Sequence, residues 1–220
     1  MRKKITLFIA GTIMAMALTA CSKNEPKEEL TTPVETTTEA PTTTEAPTTE
    51  PETTTAAQTG TTEISSAVDV LGNVWATYAE DEMFFAMGGD YENMVDNAPG
   101  KFNYENPDNL FGLLHLPEDA ASYMDDAASL IHGMNANTFT SGAFHLAAGA
   151  DKDAFVTLIK DSIADTQWMC GFPEILVVFS VNDEYVVYAL GNADIVNNFK
   201  DKMTNVYGDG AVVLAEENIG

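Results

Sequence analysis

A chain of 220 residues with 34 acidic and 10 basic side chains carries a formal charge of -24. That field repels nucleic acid and anionic lipid, so nucleic acid is not an expected partner, while solubility and basic or cationic partners are favoured. Arg2 is the only arginine, so the rest of the chain lacks the bidentate fork that reads phosphate, carboxylate and base edges.

In chain order, Arg2, Lys3 and Lys4 form a basic start, and Ile5 to Leu18 is an apolar run too short for a comfortable membrane span. It ends in Leu18-Thr19-Ala20-Cys21. This segment resembles a bacterial lipoprotein signal. The resemblance implies cleavage before Cys21, a diacylglyceryl group on its sulfur, and a mature protein held at the outer face of the cell membrane. Two acyl chains anchor stably where one does not, since each buried methylene contributes roughly 0.8 kcal/mol. Lipidation would consume Cys21 and leave Cys170 alone, so an intramolecular disulfide is excluded and the fold must rest on its core.

Residues 21–62 are Thr, Glu, Pro and Ala with almost no large apolar side chain, and the unit Thr36-Thr37-Thr38-Glu39-Ala40-Pro41 recurs at Thr42-Thr43-Thr44-Glu45-Ala46-Pro47. Such a segment cannot bury enough surface to offset its ordering entropy, and it is expected to be a disordered stalk. Residues 63–220 remain for one acidic globular domain. From residue 64 onward 25 carboxylates face five lysines.

The domain reads as α+β. A helix is expected over 64–80, capped by Ser65 or Ser66, with Val70, Leu71, Val74, Trp75 and Tyr78 on one face. Residues 81–112 carry turn signals at Pro99-Gly100 and Asn106-Pro107 and read as loop, with a short helix near 90–96. A second helix is expected from Pro117 to His132, ending at Gly133. Then come a strand over 138–147, a helix capped by Asp151, a strand over 174–181 and a two-residue turn at Asn182-Asp183. A strand over 184–190, a helix capped by Asn192 and a strand over 211–215 complete the chain. The order is β-α-β-β-α-β, a ferredoxin-like antiparallel core behind N-terminal helices.

A two-residue turn puts Val177, Phe179, Val186 and Tyr188 on one face of the hairpin, and Leu176, Val178, Tyr185 and Val187 on the other. Both faces are apolar, whereas a sheet open to water on one side alternates. The second face is covered by the first two helices or by a partner.

The lipobox, the Thr/Glu/Pro stalk, a helix and a strand-helix-hairpin core with the run Ile175 to Gly191 together resemble small uncharacterised lipoproteins of gut Gram-positive bacteria. The resemblance implies the layout and the surface location; it implies no activity and no functional residue.

Candidate chemistry is sparse. His115, His132 and His145 have no compact zinc spacing, His132 reads as a helix cap and His145 as a strand residue. Cys170, flanked by Trp168, Met169 and Phe172, reads as a small buried hydrophobe, or else as a thiol nucleophile paired with a distant histidine. Asp90, Glu92, Asp96, Asn97, Glu105 and Asp108 could offer oxygens to calcium, but not at EF-hand spacing. Tyr91, Phe102, Tyr104 and Phe111 are aromatics among polar residues that could form a peptide or sugar platform; of these Tyr91, Phe102 and Tyr104, with the segment Asn135, Asn137 and Thr138, are the candidate contact residues for a protein, peptide or glycan. The expectation is a non-enzymatic binding module without a cofactor; the alternatives are a thiol enzyme or hydrolase using Cys170, and a structural envelope component.

Overall fold

The computed structural model describes residues 62–220. The signal, Cys21 and the stalk up to residue 61 lie outside the described residues. In chain order the helices are α1 (Ala67–Trp75), α2 (Pro107–Leu114), α3 (Lys152–Ala164) and α4 (Ala193–Tyr207). The strands are β1 (Ala86–Gly89), β2 (Met94–Asp96), β3 (Gly100–Lys101), β4 (Met124–His132), β5 (Phe139–Leu146), β6 (Ile175–Val181), β7 (Tyr185–Gly191) and β8 (Ala211–Asn218). They form one antiparallel sheet in the order β2-β1-β4-β5-β7-β6-β8, with β3 pairing β4. The α+β class and the β-α-β-β-α-β order of its second half are as expected; the ferredoxin-like arrangement is not adopted, because β8 pairs with β6 and not with β5, and α3 and α4 cover opposite faces.

The place of the last strand decides the layering. β5 already pairs with β4 on one edge, and β8 pairs with β6 at the far edge of the sheet. The steps β5→β6 and β7→β8 therefore move the same way across the sheet, starting from antiparallel strands. One common hand of crossover then requires the connecting helices to lie on opposite faces. They do. α4 joins α1 over Val177, Phe179, Tyr185 and Val187. α3 joins α2 over Leu176, Val178, Val186 and Tyr188. Each face is thus covered by one early and one late helix, which answers why both faces of the hairpin are apolar. Tyr207 Oη donates to Val70 O at 2.8 Å across one layer, and Tyr188 Oη to Leu114 O at 2.7 Å across the other.

The hairpin register differs from the expectation by one residue. Asn182 and Asp183 both adopt positive φ, 52° and 60°, as a primed turn requires. However, Val181 pairs with Tyr185, so Glu184 is a third connecting residue. Because side chains alternate, one added residue exchanges the faces of the returning strand. Val177 and Phe179 consequently share a face with Tyr185 and Val187, not with Val186 and Tyr188.

Further expectations are corrected. The helix expected from Pro117 to His132 is a 3-10 segment, Glu118–Tyr123, followed by strand β4. Its run Ala127-Ala128-Ser129-Leu130-Ile131 is buried throughout; a strand covered on both faces shows no alternation and is not separable from a buried helix by periodicity. Conversely, α2 arises within the stretch read as loop. Asn106 is its N-cap, its side chain accepting from Asp108 N, and Pro107 occupies the first turn, where no donor is missed. The short helix expected near 90–96 is the β1–β2 hairpin. The first helix is shorter than expected, starting at the Ser66 cap. Asn192 occupies the N-cap position of α4 without a side-chain bond; Glu174 Oε2 accepts from Ala193 N at 2.7 Å instead.

Candidate functional site

Helices α2 and α3, the turn 132–138 and the loop 165–173 border an open cleft of about 1130 Å³, walled by Phe111, His115, Asn137, Leu158, Asp161 and Trp168. A smaller cavity of about 210 Å³ adjoins it, walled by Met87, Tyr91, Met94, Leu113 and Met134. The divide is narrow: Tyr91 lies over Gly112, where an added Cβ would sit 2.6 Å from the Tyr91 hydroxyl.

The turn and the loop are tied together by amides. Asn137 Nδ2 donates to Met169 O at 2.8 Å and to Gly171 O at 3.1 Å, and Asn135 Nδ2 donates to Cys170 O at 3.4 Å. Asn135 Oδ1 accepts from Asn137 N at 3.0 Å. His132 Nδ1 accepts from Met134 N and Asn135 N, at 3.2 and 3.3 Å. This leaves the proton of the neutral ring on Nε2. The ring stacks on Phe84, with centroids 5.2 Å apart. His132 therefore fixes a turn at the end of a strand and does not cap a helix.

His115 ends α2 in the left-handed region, φ 55°. Its ring meets Trp168 edge-on at 4.7 Å, Nε2 is buried without a partner, and burial holds its pKa below the ordinary histidine value. His145 lies on the far part of the sheet in contact with Asp125. Among the described residues no group of three or more His, Cys, Asp or Glu side chains is disposed to hold a metal.

Asp90, one of the oxygens considered for calcium, is buried and spoken for. Its Oδ1 accepts from Glu92 N (2.9 Å) and Asn93 N (3.0 Å), and its Oδ2 from Asn103 N (2.8 Å). Burial raises its pKa, but the amide bonds from Asn103, Glu92 and Asn93 outweigh that and hold it below the ordinary value of 3.8. A carboxyl depressed on folding stabilises at pH above its unfolded value, and that contribution is lost as pH falls through the folded one. Asp90→Ala is expected to cost about 2–3 kcal/mol at neutral pH, since three amides lose a charged acceptor. In thermal melts the gap from wild type should narrow below pH 3.8; a gap constant with pH would contradict this role.

The structure brings together some of the candidate contact residues and separates others. Tyr91 is 55 % exposed on the divide between the cavities, and Asn135 and Asn137 line them. Phe102 is buried in the core with Leu110 and Leu114 and offers no surface. Tyr104 is half-buried away from both cavities; burial, then the nearby Glu105, Asp125 and Asp126, raises its pKa. Thr138 acts through its backbone, its carbonyl accepting from Asn192 N at 2.9 Å. Cys170, expected to be buried, is exposed in the left-handed region, φ 64°. Its apolar neighbours Met169 and Phe172 are exposed as well. Among the described residues no histidine is hydrogen-bonded to its sulfur.

The most prominent feature is an exposed apolar rim, of which the sequence pattern points to Phe111 but not to the methionines. Phe111 (74 %), Met134 (79 %), Met169 (79 %) and Met94 (59 %) stand around the cavities. Comparison with protein families, curated proteins and solved structures finds no match to this chain. Phe111 is exposed because of the phase of α2: Leu110 and Leu114 face the core, and Phe111 falls outside their stripe.

Proposed function

We propose that this protein is a lipid-anchored, non-enzymatic binding module of the outer cell surface, and that its contact surface is the double cavity rimmed by Phe111, Met134 and Met169. One observation carries the reading. Large apolar side chains cluster in water around concave ground whose walls are cross-tied by Asn135 and Asn137. Such clusters on soluble domains mark interaction sites, and a pre-tied wall lowers the ordering entropy of binding. No helix among the described residues is long and apolar enough to cross a membrane, so surface attachment rests on the signal-like segment ending at Cys21.

The anchor has a direct test. Cys21→Ser is expected to abolish incorporation of labelled palmitate and to release the protein to the medium. A variant still labelled and still cell-bound would contradict the anchor. The contact surface is open to photo-cross-linking from position 111 in living cells.

A further inference from the structure

Building on that reading, we propose that the double cavity takes a cationic amphipathic peptide segment. Three observations converge. The walls and rim are rich in unbranched thioethers, Met87, Met94, Met134 and Met169, and methionine adapts its shape to irregular apolar partners. The charged side chains at the cleft are carboxylates: Asp161 and Asp165 line it, and Asp108 lies one turn from Phe111 on α2. Among the described residues no lysine is ion-paired to Asp161, Asp165 or Asp108, although Lys160, paired with Glu217, feels the charge of the neighbouring Asp161. Lys101, Lys152, Lys160, Lys200 and Lys202 each lie 2.7–3.9 Å from a carboxylate, and none lines either cavity. Apolar cavities bordered by carboxylates that form no ion pair among the described residues complement a helix that is apolar on one face and basic on the other.

The side-chain amide nitrogens of Asn135 and Asn137 are engaged with carbonyls of the neighbouring loop and hold the wall in place; a glycan is the competing ligand class that the test must separate.

The test is calorimetric titration of the full chain with a synthetic Leu/Lys helix of about 18 residues, some 27 Å long. Comparison probes are the same composition shuffled, a Leu/Glu version and a chito-oligosaccharide. The protein variant is Phe111→Ser/Met134→Ser/Met169→Ser, whose changes are all exposed and whose melting temperature is checked against wild type. The Leu/Lys helix is expected to bind, the shuffled and acidic peptides to bind at least about tenfold more weakly, and the variant likewise. Raising salt from about 50 to about 500 mM should weaken the interaction by screening. Equal binding by the acidic peptide, or by the variant, would overturn the inference. An oligosaccharide that binds, and is lost in the variant, would overturn the ligand class while leaving the surface in place. Binding by no probe would overturn the inference and count against the surface.

Discussion

Phe199→Ala and Phe155→Ala are each expected to destabilise the domain by about 3–5 kcal/mol, the range for emptying a well-packed aromatic site. The two rings lie on opposite sides of the sheet, and each is fully buried. Phe199 of α4 meets Phe139 at 5.4 Å. Phe155 of α3 stacks on Tyr123 at 5.1 Å and meets Phe144 at 5.4 Å. The two cores share strands β5, β6 and β7, so neither can melt while the other keeps its sheet. Each variant should therefore lower one common urea transition. The tryptophans supply a reporter for each side: Trp75 is buried in the α1/α4 core, and Trp168 packs against the α2/α3 core. Coincident fluorescence and circular-dichroism transitions are expected in both variants. A split transition would show that the faces unfold separately.

Gly191→Ala is expected to cost about 3 kcal/mol or more, combining strain in a region that L side chains avoid with overpacking. Gly191 closes β7 with φ 147°, and an added Cβ would fall 2.2 Å from Thr138 O and 2.9 Å from Phe139 Cα. These are backbone atoms that cannot step aside. Thr138 O already accepts from Asn192 N, and Gly191 O from Glu174 N at 2.9 Å, so the corner joins β5, β7 and the start of α4. Gly149→Ala provides the control. Its φ is 83° but nothing lies within 4 Å, so only conformational strain of about 1–2 kcal/mol applies. Urea midpoints for the two variants separate the crowding from the strain; equal losses would contradict the close approach at Gly191.

Where chemistry was local, the chain was readable. Asp151 capping α3, with Phe155, Ile159 and Ile163 on its buried face, needs only a turn of helix to interpret. Asn182-Asp183 specify a primed turn, but whether two or three residues connect the strands depends on pairing with Glu184, and the assignment of faces turned on that residue. β4 was hidden because burial on both faces removes the alternation that signals a strand. α2 was hidden because Asn106-Pro107 serves a turn and a helix start equally well. The contact surface was still less accessible. Asn137 and Met169 are 32 residues apart, and the exposure of Cys170 follows from a loop held by those amides, not from its apolar neighbours.

The proposed contact surface, the apolar double cavity, is tested most directly by in-cell photo-cross-linking. A photo-reactive phenylalanine analogue is placed in the full chain at Phe111, at Met134 and, on exposed ground of α4, at Thr204. Adducts of raised mass are expected from positions 111 and 134 and not from 204. Adducts formed equally from all three positions, or from 204 alone, would contradict the assignment of this surface.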